Sequence, residues 1–271
     1  MDNRPIGVFD SGLGGLTAVK ELRRLAPREE IVYFGDTGRV PYGSRSRETI
    51  IRYARQDVAF LRTFDLKAIV IACGTVSTTA LDVLAAENDI PLWGVVEAAA
   101  QAAARATRNR RVGLIGTQAT IRSGAYERRI AGEDPSIRVV ARACPLFVPL
   151  VENGRFRVGD VVAETVAAEY LAPIKAAGVD TLVLGCTHYP LLTEVIGAYM
   201  GPGITLVNVG EQCAVRVVER LAAMDALTGR EEPGESRFYV SDRVEDFARL
   251  ASLFLQRDVG EAVEQVDIYR Y

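Results

Sequence analysis

Two cysteines of this 271-residue chain follow apolar runs that are each typical of a buried β-strand. The segment IVIACGTVST (69–78) contains Cys73, and the segment LVLGCTHYP (182–190) contains Cys186 and His188, the only histidine of the chain. In open α/β sheets, ligands bind beyond the carboxyl ends of the strands and near helix N-termini. The similarity of the two segments therefore indicates two similar domains that face one cleft, although a match of so few residues also occurs by chance.

A thiol at such a position suits acid–base or nucleophilic chemistry. A free thiol has a pKa of about 8.5, and a helix N-terminus lowers it. His188 and a carboxylate such as Glu152 are candidates to handle the protons. The alternative is that the cysteines simply fill the core, which we expect of Cys144 and Cys213. The cysteine and histidine spacings match neither a metal site nor a C-x-x-C redox pair, so no metal is predicted.

The segment FDSGLGGLTA (9–18) is a glycine-rich turn between a predicted strand and a predicted helix. It does not match the G-x-G-x-x-G fingerprint of dinucleotide-binding proteins, and a carboxylate at Asp10 would repel a pyrophosphate. We expect the glycines to let a helix N-terminus approach a small ligand, with Asp10 directed into the site. The alternative is that Asp10 only caps the turn.

The segment GDTGRVPYGSRS (35–46) is a second loop rich in turn residues and hydrogen-bonding groups. It follows a predicted strand directly, so we expect it to lie over the same cleft. Tyr42, Gly43 and Ser44 are then candidates to donate hydroxyl and backbone N–H hydrogen bonds to a carboxylate. The alternative is an exposed connection without a function.

The elements that must position these residues alternate between short β-branched runs and longer segments of helical period. The pattern predicts an α/β protein with two similar domains, each a mainly parallel sheet flanked by helices, and a site between them. We predict a discontinuous first domain, 1–96 plus 210–271, to which late strands at 236–242 and 262–268 return, and a second domain at 97–209. Helices are expected near 119–131 and from about Ser77, whose hydroxyl suits an N-cap.

Composition restricts the class of protein. The net charge of −3 and the absence of a basic cluster give no reason to expect a nucleic-acid partner. No apolar stretch approaches the roughly 18 residues of a membrane span. Four cysteines and a start without signal-peptide character lead us to expect a cytoplasmic protein.

Taken together, the motifs resemble those of the glutamate racemases. The resemblance rests on IGVFDSGLGGLTAVKEL, YFGDTGRVPYGSRS, VIACGTVST, GLIGTQATIRSGAY, CPLFVPLVENG and LVLGCTHYPLL, which occur in family order across roughly the first 200 residues. It implies cofactor-independent interconversion of L-glutamate and D-glutamate, with D-glutamate supplied to peptidoglycan synthesis. It also implies two α/β domains of similar fold and a homodimer.

The residues agree with that chemistry on their own terms. Racemisation removes a proton from one face of a carbon and returns one to the other, so two bases must lie on opposite faces. Thiols from two facing domains meet this requirement. Pyridoxal phosphate would instead need a Schiff-base lysine, and none of Lys20, Lys67 and Lys175 lies at the carboxyl end of a predicted strand. We therefore expect no cofactor.

The resemblance also implies roles for individual residues. Cys73 would take the proton of D-glutamate and Cys186 that of L-glutamate, with Asp10 assisting Cys73, and His188 with Glu152 assisting Cys186. The implied substrate contacts are Asp10, Ser11, Tyr42, Gly43, Thr75, Thr187 and His188, with Thr117 and Thr120 as weaker candidates.

Gly74 departs from the family pattern, in which the motif reads Cys-Asn-Thr and the asparagine contacts the substrate. Losing one hydrogen bond to a charged group costs about 1.5–3 kcal/mol. We expect an active enzyme with weakened or water-mediated binding, or a compensating contact elsewhere. Two alternatives stay open: a related racemase for aspartate or another amino acid, and a non-catalytic amino-acid-binding or regulatory protein.

Overall fold

The computed structural model describes residues 1–255 and 263–271. Residues 256–262, including the first residue of the strand predicted at 262–268, lie outside the described residues. The strands are β1 (Ile6–Asp10), β2 (Ile31–Gly35), β3 (Ala68–Ile71), β4 (Leu92–Gly94), β5 (Arg111–Gly116), β6 (Arg138–Ala143), β7 (Thr181–Leu184), β8 (Thr205–Asn208), β9 (Ser236–Val240) and β10 (Val263–Gln265).

Helices connect these strands. They are α1 (Leu16–Leu25), α2 (Arg47–Leu61), α3 (Gly74–Thr79), α4 (Leu81–Glu87), α5 (Val96–Ala106), α6 (Gln118–Ser123), α7 (Ala125–Glu133), α8 (Phe147–Glu152), α9 (Val161–Ala176), α10 (Thr193–Met200), α11 (Val209–Ala223) and α12 (Val244–Leu255). None of the described helices combines the length and the apolar character needed to cross a bilayer.

The strands form two sheets in which every pairing is parallel. The first sheet has the order β10-β9-β2-β1-β3-β4, and the second has the order β6-β5-β7-β8. Four strands of the first sheet, β2-β1-β3-β4, therefore repeat the order of the second. The predicted fold class is confirmed, and Cys73 and Cys186 follow the equivalent strands β3 and β7.

The two sheets share one continuous core on one side. Helix α11 packs against α1 of the first sheet and against α5, which in turn packs against α7, and the buried apolar cluster here includes strand residues of both sheets. A second cluster covers the other face of the first sheet. Strands β9 and β10 belong to the first sheet, whereas the domain boundaries at 96/97 and 209/210 stay a prediction.

Two helix predictions were wrong in detail. Helix α3 begins at Gly74, directly after Cys73, and not near Ser77. The Ser77 hydroxyl instead donates to the carbonyl of Ile71 and accepts from the amide of Val95, so it links two strand ends. The helix predicted at 119–131 is divided into α6 and α7 at Gly124, whose φ of 60° is left-handed and ends the first helix.

The amino end of the first sheet contains a buried ion pair. The ammonium of Lys67 lies 2.5 Å from a carboxylate oxygen of Glu29, and both side chains are at most 2% exposed. Lys67 also donates to the carbonyls of Asp2 and Ala226, and Glu29 accepts from the amide of Thr228. The pair therefore ties the N-terminus and the segment around 226–228 to the sheet.

We predict that Lys67→Met lowers the free energy of unfolding by about 3–5 kcal/mol, because it leaves the Glu29 carboxylate buried without its counter-ion. The matched control is Arg55→Met, which breaks the exposed Arg55–Glu87 pair and is expected to cost less than about 1 kcal/mol. Urea denaturation measures both. Equal losses in the two variants would contradict the assigned role of the buried pair.

Candidate active site

The carboxyl ends of the central strands of both sheets meet at one cavity of about 290 Å³. This is near the small end of the range of about 300–1,000 Å³ for ligand pockets and suits a molecule of amino-acid size. The lining residues come from both sheets: Ser11, Gly12, Val40, Pro41, Tyr42, Gly43, Ser44, Cys73, Gly74, Thr75, Thr117, Gln118, Pro145, Val148, Pro149, Glu152, Cys186, Thr187, His188 and Tyr189. Both strand-end cysteines are thus brought together.

Cys73 lies on the first-sheet side of the cavity, directly before α3. Its thiol donates to the hydroxyl of Ser11 at 3.3 Å. Burial and the nearby charge of Asp10 raise the pKa of Cys73 to about 12. The helix N-terminus therefore does not lower the pKa of this thiol as expected, since desolvation of the charged form is the larger effect. Cys73 carries a proton at neutral pH.

Asp10 ends β1 and lies behind the cavity wall instead of pointing into the cavity as expected. Its carboxylate accepts from the amide of Gly12 at 3.0 Å and from the hydroxyl of Thr187 at 3.4 Å. It thus caps the glycine-rich turn and links that turn to the second sheet. Burial raises the pKa of Asp10, and the charge of Asp10 contributes to the raised pKa of Cys73.

Cys186 lies on the second-sheet side and has His188 beside it. The Cys186 sulfur is 3.9 Å from Nδ1 of His188, and Nε2 of His188 is 3.1 Å from a Glu152 oxygen. Burial alone lowers the pKa of His188, but the hydrogen bonds with Cys186 and Glu152 outweigh it and raise the pKa to about 10. At neutral pH His188 is therefore a cation between the Cys186 sulfur and the Glu152 side chain.

Hydroxyl groups join the two sides of the cavity. The Thr75 and Thr117 hydroxyls lie 2.9 Å apart, one from each sheet. Thr117 also caps α6 by accepting from the amide of Thr120. Thr120 is fully buried and bonds Thr117 through its own hydroxyl, so it supports the wall and does not line the cavity.

The loop after β2 closes the cavity through its backbone and not through the hydroxyl of Tyr42. That hydroxyl bonds Asp36 and Asp57, away from the cavity. The Tyr42 hydroxyl is thus engaged by two carboxyl groups and is not directed into the cavity as expected. Gly43 lies so close to Thr117 that a Cβ atom there would be 2.8 Å from the threonine Cβ.

Comparison with known proteins identifies the family. Residues 6–218 match the family model of the Asp/Glu/hydantoin racemases. The glutamate racemase of Geobacter metallireducens is 46% identical over 261 residues, 96% of each chain. The crystal structure of the Francisella tularensis glutamate racemase in complex with D-glutamate covers 100% of both chains, with 39% identity and a TM-score of 0.92. The chain belongs to the glutamate racemases.

Membership of the glutamate racemase family makes the chain an amino-acid racemase, and the alternative of a non-catalytic binding protein is set aside. A second solved glutamate racemase, from Thermus thermophilus in complex with β-chloro-D-alanine, is 46% identical with a TM-score of 0.89 over 100% of both chains. The structures of the Picrophilus torridus aspartate racemase and of an aspartate racemase homologue from Pyrococcus horikoshii share only 16–17% identity, which establishes a common fold alone.

The sequence analysis did not identify several residues that line the cavity or support the loop over it. Pro145, Val148 and Pro149 give the second-sheet side an apolar wall, and Gln118 adds an amide. Asp36 and Arg39 lie in the GDTGRVPYGSRS motif, but no role was predicted for either of them. Nothing in the sequence around Asp57 indicated a role for it. Among the described lining residues none is lysine or arginine.

Gly74, the departure from the family pattern, has a steric explanation in this chain. A Cβ atom at residue 74 would lie 2.5 Å from the carbonyl oxygen of Gly185, in the segment that leads to Cys186. Glycine therefore permits the two strand ends to approach each other closely. An asparagine would have to displace this carbonyl before its amide reached the cavity.

We predict that Gly74→Ala destabilises the protein by about 1–3 kcal/mol, because the added methyl group overpacks a backbone contact. The control is Gly132→Ala on α7, where a Cβ meets nothing within 4 Å; higher helix propensity should leave that variant unchanged or slightly more stable. Urea denaturation compares the two. If Gly74→Ala were as harmless as the control, the close approach to Gly185 would not constrain the site.

We also predict that His188 makes the protein less stable as the pH rises. A histidine whose pKa is raised in the folded state stabilises it fully below its unfolded pKa of about 6.5, and this stabilisation is lost as the pH rises through about 10. His188→Gln should therefore flatten the decline in the free energy of unfolding between these limits. Parallel curves for the two proteins would contradict the raised pKa.

Proposed function

We propose that the chain interconverts L-glutamate and D-glutamate by a cofactor-independent mechanism with two bases, Cys73 and Cys186. The observation that carries the proposal is that two thiols, from equivalent strand ends of two sheets, line one cavity of amino-acid size. The substrate follows from the relatives, which are glutamate racemases along nearly their whole length.

The two thiols have different surroundings, as a two-base mechanism requires. Cys73 carries a proton at neutral pH because burial raises its pKa to about 12. Cys186 has the cationic His188 at 3.9 Å, which offers a counter-charge for a thiolate. One sulfur is thus arranged to give a proton and the other to receive one.

Conversion of L-glutamate begins when Cys186 removes the α-proton, forming an S–H bond as the C–H bond breaks. Cys73 then donates its own proton to the opposite face of the same carbon. After this half-cycle Cys186 is the thiol and Cys73 the thiolate, and D-glutamate is converted back by the reverse steps. Glu152 holds His188 in place, and Asp10 assists Cys73 through its charge.

Substrate contacts are proposed for the hydroxyls and backbone amides at the two strand ends: Ser11, Gly43, Gly74, Thr75, Thr117, Thr187 and His188. Tyr42 contributes through its ring and backbone, Asp10 acts through Thr187, and Thr120 acts through Thr117. Backbone and hydroxyl donors at helix N-termini stabilise a carboxylate, and the cationic His188 adds a positive charge. This arrangement suits a dicarboxylic amino acid in a cavity whose described wall has no lysine or arginine.

The biological setting is proposed from the family resemblance. D-glutamate produced by this reaction would supply peptidoglycan synthesis and the maintenance of cell shape, and the enzyme would act as a homodimer. All four cysteines are free, which agrees with a reducing cytoplasm.

Proton NMR in D₂O tests the mechanism. With purified protein, no added cofactor and L-glutamate as substrate, we expect the D-glutamate formed early to carry deuterium at the α-carbon while the remaining L-glutamate keeps its proton. This asymmetry arises because the returning proton comes from the second thiol, which exchanges with solvent. Early deuterium in the remaining substrate would indicate a single base, and exchange of L-aspartate but not glutamate would select the aspartate alternative.

Cys73→Ser and Cys186→Ser should each reduce kcat by at least about a hundredfold, since removing a catalytic acid or base costs about 10²–10⁴-fold. The matched control is Cys144→Ser. Cys144 is a buried cysteine that directly follows β6 and does not line the cavity. Loss of activity in the control alone would overturn the assignment of the two bases.

A further inference from the structure

A buried polar cluster lies beneath the loop that closes the cavity. It consists of Asp36, Arg39 and Tyr42 from the loop segment and Asp57 from α2, with exposures of 0%, 5%, 1% and 0%. The two carboxyl groups both contact the single guanidinium of Arg39, at 2.6 and 2.8 Å. If both carboxyls were ionised, the cluster would hold an uncompensated negative charge away from water, which is costly.

Asp36 accepts hydrogen bonds from three side chains. Nε of Arg39 and the hydroxyl of Tyr42 donate to one oxygen. The hydroxyl of Ser241 donates to the other at 2.7 Å, and Ser241 itself accepts from the amide of Gly38. Three donors directed at one carboxyl group favour its ionised form over the acid.

Asp57 has a different set of partners. One oxygen accepts from Nη2 of Arg39 at 2.8 Å, and the other lies 3.1 Å from the hydroxyl of Tyr42. A phenol has one proton to donate, and the closer contact of Tyr42 with Asp36 takes it. The second contact is a hydrogen bond only if its proton comes from Asp57.

We propose that Asp57 keeps its proton at neutral pH and donates it to Tyr42, so that a neutral carboxyl group positions the loop over the active site. The hydrogen bonds then run in one direction, from Asp57 to Tyr42 to Asp36, and the cluster with Arg39 is neutral. Asp57 does not touch the cavity and acts through Tyr42, which makes it a positioning residue.

The electrostatic surroundings agree with a neutral Asp57. Burial, and then the charge of Asp36, raise the pKa of Asp57 well above its ordinary value, although Arg39 opposes this. The other titratable groups close to the cluster are Tyr53 on α2 and Tyr269 in the C-terminal turn, whose rings lie against the Arg39 guanidinium.

The charge of Asp57 also affects substrate binding by the loop above it, an inference that rests on the proposed function. Residues 40–44 line the cavity, and the proposed substrate that they would contact is a dicarboxylate. A second carboxylate beneath the loop would repel it and would also break the bond to Tyr42. A protonated Asp57 avoids both effects.

Two isosteric substitutions distinguish the carboxyl groups. In Asp57→Asn the amide oxygen accepts from Arg39 and the amide N–H donates to Tyr42, which reproduces the protonated acid. We expect its melting temperature to stay within about 3 °C of wild type. Asp36→Asn removes the carboxylate, so Arg39 keeps a counter-ion only when Asp57 gives up its proton and its hydrogen bond to Tyr42. We expect its melting temperature to fall by about 5 °C or more.

Infrared spectroscopy at neutral pH measures the proton directly and does not depend on activity. The difference spectrum of wild type minus Asp57→Asn should contain the C=O stretching band of a carboxylic acid, shifted in D₂O. Asp82→Asn, which removes an exposed carboxyl on α4, is the control and should give no such band. Absence of the band for Asp57, or an Asp57→Asn variant that melts as low as Asp36→Asn, would overturn the proposal.

The pH dependence of KM tests whether the proton on Asp57 positions the loop over the cavity. As Asp57 ionises at alkaline pH, KM for glutamate should rise in the wild type by about tenfold more than in Asp57→Asn, which cannot ionise. Identical pH profiles of KM would overturn the positioning role. A wild-type protein that shows the acid band but does not racemise glutamate would instead refute the proposed function and leave the proton assignment standing.

Discussion

The active site depends on the close contact of two sheet edges, and glycine makes that contact possible. Gly14 lies against Thr187 and His188, Gly43 against Thr117, and Gly74 against the carbonyl of Gly185. A side chain at any of these glycines would hold the two carboxyl edges apart. Because no Cβ atom intervenes, thiols that belong to separate sheets line the same small cavity.

Once the edges are in contact, burial determines the charge of each group in the site. The two thiols are chemically identical, yet one is surrounded by a carboxylate and apolar strand ends and the other by an imidazolium. Desolvation keeps the proton on Cys73, whereas the Glu152–His188 pair places a positive charge near Cys186. The proposed reaction, which needs one acid and one base, would thus obtain both from the same residue type.

Paired charges also hold the parts of the fold that carry no chemistry. Lys67 and Glu29 fasten the amino end of the first sheet, and the cluster around Arg39 fastens the loop at its carboxyl end. The two clusters differ in the ratio of cations to carboxyl groups. The first has one cation for one carboxylate, and the second has one cation for two carboxyl groups, which is why a retained proton is needed there.

The sequence by itself determined the alternation of strands and helices, the parallel sheets and the strand ends at which Cys73, Thr117 and Cys186 stand. These follow from local periodicity and from the rule that equivalent strand ends share an edge. Only the tertiary structure decided where α3 begins, that Asp10 faces Thr187 and that the Tyr42 hydroxyl turns to Asp57. It also decided why residue 74 is glycine. Each of these depends on partners distant in the chain, such as Gly185 for Gly74, and on the desolvation that their contact creates, which no local pattern of residues records.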